Sequence, residues 1–188
     1  MLTQTISTGG SAVMTAGEYF FYFMFYSVLG WCLEGTYNRF TVGTFRKEGF
    51  LKGPYKPMYG FAPLMLMLAY ELHAPLPLIL VLALLIPTGV EYASGWLLKA
   101  VFRKQWWDYS QLPYQLGGHI CLKFSLYWWV LSIACLYGLH PLAEQLYSRI
   151  MPLWQPVAPW FALWLAADLL WTFRVRRRVI KIWDLGES

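Results

Sequence analysis

The sequence predicts an all-α protein, a polytopic transmembrane bundle of about five helices. Three observations predict it. Of 188 residues, 58% are hydrophobic and only 13% charged, where an average soluble domain carries roughly 25% charged residues. A soluble domain of this length buries only about 70% of the surface its unfolded chain exposes, so it cannot hide so much apolar side chain, whereas a hydrocarbon solvent removes that limit. Second, the apolar residues lie in runs near the roughly 20 residues that a spanning helix needs, and lipid admits only backbone that satisfies its own hydrogen bonds. Third, aromatics make up 19% of the chain, including 11 Trp, and Trp and Tyr collect where a ring meets hydrocarbon and its polar tip meets water.

The spans follow in order. Residues 1–16 are polar and hold no Lys or Arg, so they lack the basic start of a secretory signal. The first span is expected at residues 17–37 and the second, a short one, at 57–72. The third covers 75–100, with Pro87 and Gly89 as a kink. The fourth is expected at 120–139 and the fifth at 156–173.

Charge gives these spans a direction. The first connection carries Arg46, Lys47, Lys52 and Lys56, and the third carries Arg103 and Lys104 just after Lys99. The tail, residues 174–188, carries Arg174, Arg176, Arg177, Arg178 and Lys181. The second connection has no Lys or Arg, and the fourth, residues 140–155, has only Arg149. Basic loops stay on the cytoplasmic side. The expectation is one transmembrane domain over residues 1–188 in the inner or plasma membrane, with residues 1–16 outside and a basic cytoplasmic tail. The net charge of +5 is thereby used for retention. It forms no stripe that would suit nucleic acid.

Two hairpins repeat a pattern. Gly30-Trp31 and Gly95-Trp96 each end an outside-to-inside span. Each is followed by an aromatic, basic loop with a Pro-Tyr pair, Pro54-Tyr55 and Pro113-Tyr114. Two parallel helix hairpins plus a fifth span would produce this, as parallel repeats do in transporters. Chance matching in a Trp-rich chain is the alternative.

Ionisable groups inside a bilayer are costly and face a bundle interior. Glu34, Glu91 and Asp168 are such groups, all in the inner halves of their spans. Tyr22, Tyr26, Gly30 and Glu34 recur every four residues and share one helix face, as do Glu91, Gly95 and Lys99. Lys99, Lys123, Arg46 and Lys52 are the basic partners within reach. The candidate pocket thus comprises Glu34, Arg46, Lys52, Tyr59, Glu91, Lys99, Trp107, Asp108, Lys123 and Asp168, opening to the cytoplasm. Each acid can instead serve only as a helix-to-helix tie, and Asp168 has Arg174 close along the chain for that.

The two inner loops are irregular. Residues 49–60 hold two prolines and three glycines beside aromatics, a composition that opposes helix. They form either a re-entrant element against the pocket or a plain interfacial loop. Residues 105–110 carry a Trp pair for the headgroup layer, and Asp108 and Ser110 can cap a short helix.

Standard chemistry is missing. There is no Gly-x-x-x-x-Gly-Lys-Ser/Thr phosphate loop, so ATP hydrolysis would need another subunit, and there is no His-Glu-x-x-His or Gly-x-Ser-x-Gly. Cys32, Cys121 and Cys135 are read as reduced, packed thiols. With His73, His119 and His140 scattered, no metal site and no cofactor are expected.

The motifs as a set resemble the CmpB-type ABC-transporter permease family of small bacterial membrane proteins. They are Gly30-Trp31 with Glu34, the 49–60 loop ending Pro57-Met58-Tyr59-Gly60, and Glu91-Tyr92 with Gly95-Trp96. Trp107-Asp108-Tyr109-Ser110, then Gly118, Ile120-Cys121-Leu122 and His140-Pro141 complete it. The chain departs from the family pattern at Lys47-Glu48, Lys99 and His119. The resemblance implies a transport component, with membrane lipids and a separate ATPase or another membrane protein as partners. Two other functions fit the residues. One is a membrane-embedded enzyme acting on a lipid headgroup or lipid-linked substrate at the cytoplasmic face, with Glu34, Glu91 or Asp108 as base. The other is a non-catalytic accessory subunit.

Overall fold

The structure is a computed structural model that describes residues 14–186 apart from residue 47, with side chains through residue 178. The expected outer segment falls almost wholly outside these residues, as do Lys47 and the Lys181 side chain.

The chain is all-helical, with 77% of it in helix. α1 (Ala16–Val42) starts where the Thr15 hydroxyl accepts the Glu18 amide at 3.2 Å, and it stops at Gly43, whose φ of 81° few other residues adopt cheaply. α2 (Pro57–Glu71) opens on Pro57, whose fixed φ suits a first helical position. α3 (Leu76–Phe102) carries Pro87 inside it and ends at Arg103. A two-residue antiparallel pair, β1 (Gln115–Leu116) and β2 (Ile120–Cys121), then turns through Gly117 and Gly118, both at positive φ. α4 (Leu122–Ala134), a π-helical turn over Cys135–Leu139 and α5 (His140–Gly186) follow without a break.

The helix count differs from expectation. The described residues hold four continuous helices where five were expected, because residues 140–155 form no loop. That stretch lies between two apolar runs, which is why a connection was expected there. Its Leu, Ala, Glu, Gln, Arg and Met residues are good helix formers, however, and the helix runs through Pro152.

This last rod is bent. The 57 residues Leu122–Arg178 would extend about 85 Å if straight. Yet Phe124 near its start stacks on Tyr109 at 4.8 Å. Trp154 bonds the Gly17 carbonyl at 2.8 Å, at the start of α1. Asp168 returns to the loop after α1, where it accepts the Gly53 amide at 2.9 Å. π-helical turns and prolines are where helices bend.

Among the described residues two helices, Leu76–Phe102 and Leu122–Arg178, are long and apolar enough to cross a membrane. α2 has 15 residues, about 22 Å of helix against a hydrocarbon layer of about 30 Å. The buried core lies toward the end of the bundle away from the long loops. It joins Phe21, Tyr22 and Met24 of α1 to Leu66 and Met67 of α2, Ile79 and Ala83 of α3, and Tyr147 and Trp154 of α5. Gly60 lets α1 and α2 close up: a Cβ there would sit 2.6 Å from the Phe23 carbonyl oxygen.

Candidate functional site

The two long connections, residues 43–56 and 103–121, meet at one end of the bundle. Phe50 of the first lies 5.0 Å from Phe102 and 5.6 Å from Trp106, ring to ring. Between them and the helices beneath is a cavity of about 1330 Å³.

The first loop is irregular yet fixed. The Lys52 and Gly53 amides donate to the Asp168 carboxylate at 3.1 and 2.9 Å, the Tyr55 hydroxyl donates at 2.8 Å, and the Thr172 hydroxyl at 3.1 Å. The Lys56 amide donates to the Ser27 carbonyl at 3.0 Å. These bonds satisfy backbone that no helix or strand satisfies. Burial, and then the bond to Asp168, hold the Tyr55 hydroxyl above its ordinary pKa.

The second loop ties itself. The Trp107 indole donates to the His119 carbonyl at 2.9 Å, the Tyr109 amide to the Gly118 carbonyl at 2.9 Å, and the Ser110 amide to Asp108 at 2.9 Å. Asp108 and Ser110 therefore close a turn and cap no helix. The His119 ring packs under Gly95, and burial, then Lys99, keep it below its ordinary pKa.

Three carboxylates line the cavity. Glu34 pairs with Lys56 and accepts the Tyr59 hydroxyl at 3.0 Å. The Tyr59 ring packs over Gly30, and any Cβ there would collide with it. Glu91 is 3% exposed. It accepts the Tyr109 hydroxyl and the Trp128 indole N–H, both at 2.9 Å. The Tyr59 and Trp128 rings, 5.4 Å apart, bridge the two acids. Burial first, then the Glu91 charge, raise the Tyr109 hydroxyl above its ordinary pKa. Glu48 sits at the rim between Lys104 at 2.8 Å and Arg176 at 2.5 Å, and their hydrogen bonds pull its carboxyl down to about 2. Lys104 and Arg176 also lie over the Trp106 ring, 5.5 and 5.3 Å from its centroid.

Of the residues picked out by sequence, Glu34, Arg46, Lys52, Tyr59, Glu91 and Trp107 line this cavity. Lys99, Asp108, Lys123 and Asp168 do not. Asp168 stands just behind the wall through Thr172, and Lys123 lies over the Tyr127 ring at 5.9 Å. Glu48, Lys56, Trp106, Tyr109, Trp128 and Arg176 line it too, and sequence reasoning left them out. Tyr109 carried a signal, since it adjoins Asp108 in the quoted motif. Trp128 lies in an apolar run with nothing to mark it. Among the described residues no group of three His, Cys, Asp or Glu could hold a metal ion.

Fold and site together define a helical membrane protein with a large cavity at one end of its bundle. Residues 21–173 match the family described as "Putative ABC-transporter type IV". The match spans most of the chain, which belongs to that family. The family supports a general transport role and association with other transporter components. No curated protein and no solved structure matches the chain.

Proposed function

We propose that this chain is the membrane component of a transporter, crossing the inner or plasma membrane several times as one domain. Its N-terminus lies outside and its basic tail in the cytoplasm. The cavity faces the cytoplasm and takes a small or amphiphilic substrate, with Glu34, Arg46, Lys52, Tyr59, Glu91 and Trp107 in its wall. A separate ATPase supplies energy, since the chain carries no phosphate-binding loop of its own.

The observation that carries this reading is the cavity itself, into which α1 and α3 each direct one carboxylate, Glu34 and Glu91. Carboxylates in apolar helices are costly and concentrate at pathways and binding sites. The two basic loops border the same cavity, and such loops remain cytoplasmic.

The test compares cells lacking the protein with cells restored by the natural chain or by E91Q. Small molecules and lipids are profiled in cells and medium. Transport moves a compound between the two compartments and conserves its total. Unchanged distributions, or a compound whose total changes as another accumulates, would overturn the reading, the latter in favour of an enzyme.

A further inference from the structure

We infer that the cavity is an anion site for a phosphate-bearing amphiphile, whose headgroup sits among the loop cations and whose tail lies along the apolar wall that the helices provide. This rests on the transport reading and names the class of ligand for that cavity.

Charge sets the sign. Six cationic side chains line the cavity, Arg46, Lys52, Lys56, Arg103, Lys104 and Arg176, against three carboxylates. Two of those carboxylates are already matched: Glu34 by Lys56, and Glu48 by Lys104 and Arg176. The third, Glu91, is held by two neutral donors. Arg46 and Lys52 face the cavity with no acid paired to either side chain among the described residues. The Lys52 amide is itself bonded to Asp168, so its backbone is already held when a ligand arrives. The Trp106 ring lies in the same wall. Two cations without an acid partner suit an anion with several acceptor oxygens. Basic pockets between membrane helices bind anionic headgroups by the same chemistry.

Shape sets the rest of the ligand. The wall also includes Leu33 of α1, Leu97 of α3 and Tyr127 and Leu131 of α4. These are 45%, 54%, 49% and 41% exposed, so an accessible apolar stretch of wall stands beside the charged one. Such a stretch suits an acyl chain. At about 1330 Å³ the cavity exceeds the roughly 300–1,000 Å³ of a pocket for a drug-sized molecule. A headgroup and a length of acyl chain fit such a space.

The experiment uses the full chain in neutral detergent and counts bound ligand by native mass spectrometry. The probes are phosphatidylglycerol, phosphatidylcholine with the same acyl chains, and glycerol 3-phosphate. Phosphatidylglycerol is expected to bind at least tenfold more tightly than phosphatidylcholine. The R46Q/K52Q double variant is expected to lose about tenfold for phosphatidylglycerol and little for phosphatidylcholine. K123Q, which removes a cation outside the cavity, should leave both unchanged. Equal binding of the two lipids overturns the inference, as does an equal loss in K123Q. Glycerol 3-phosphate binding as tightly as the lipid overturns the amphiphile and leaves a soluble phosphate as the ligand. Should the double variant not fold, the three probes on the natural chain decide. Failure here with an intact change of distribution in cells removes the ligand class alone. Binding without such a change removes the transport reading instead.

Discussion

The two loops that roof the cavity are held by opposite means. The first, residues 43–56, makes its decisive bonds to Asp168, more than 110 residues away in the chain. The second, residues 103–121, is held mostly by itself, through Trp107 to His119, Tyr109 to Gly118 and Ser110 to Asp108. A loop tied to a distant helix keeps its shape only while that helix stays docked. A loop tied to itself can form early and travel as a unit. Both bring cations to the cavity, Arg46, Lys52 and Lys56 from the first and Arg103 and Lys104 from the second, and the second adds Trp106, Trp107 and Tyr109. The difference also separates two acids that look alike in sequence. Asp108 shapes a turn, and Asp168 docks a helix.

The largest test of this contrast is Asp168→Ala. It strips one acceptor from four donors, two of them backbone amides. A hydrogen bond to a charged group contributes about 1.5–3 kcal/mol. Losing the set should destabilise the protein by about 2–4 kcal/mol, read as a lower midpoint of unfolding in detergent. The first loop should become protease-sensitive while the second does not. If both loops open together, the two are one unit and the contrast fails.

Trp107→Phe should act less. It deletes the N–H that satisfies the His119 carbonyl and keeps most of the ring, so about 1–2 kcal/mol is expected. Hydrogen exchange should then rise around residues 115–121 and stay unchanged at residues 49–56. A rise in the first loop would show coupling through the cavity.

Asp108→Ala should cost about 1 kcal/mol, the loss of the Ser110 turn bond and of a long bond from the Gln105 amide. An effect as large as that of Asp168→Ala would mean that Asp108 has work beyond its turn.

The smallest effect concerns pH. Hydrogen bonds from Lys104 and Arg176 hold the Glu48 carboxyl at about 2, below its ordinary 4.5. A lowered folded-state pKa contributes stability above the ordinary value, and that contribution is lost as pH falls from about 4.5 through about 2. Glu48 is 60% exposed, so solvent and salt screen the effect. The midpoint of unfolding of E48Q should match the natural chain at pH 2 and fall slightly below it at pH 7. A gap that persists undiminished in 1 M salt would point to packing and not charge.

Much of the fold was legible in the sequence. The first three helices lie close to where the apolar runs put them, because hydrophobic length and proline position are local properties. Pro57 opens α2 and Gly43 closes α1, as their backbone preferences require. The stretch 140–155 misled, because it separates two apolar runs as a connection would, while most of its residues favour helix. At the cavity, Glu34 and Glu91 stood out as acids in apolar helices. Lys56 did not, because its pairing with Glu34 depends on how the 43–56 loop folds back. Trp128 did not either, since one Trp in an apolar span looks like any other.

By itself the sequence determined the solvent, the helical class and which helices carry charge, since these follow from composition and from spacing along one chain. Only the tertiary structure decided which charges meet. Asp168 was expected near the pocket or paired with Arg174, and it instead docks the loop that carries Lys52. Lys99 shares a helix face with Glu91 by spacing, yet beyond Glu91 the cavity wall on α3 runs through Ser94, Leu97, Leu98 and Phe102 and leaves Lys99 exposed. Spacing fixes a residue's direction on its own helix. Where that direction leads depends on how the last helical rod bends and on a loop held from more than 110 residues away.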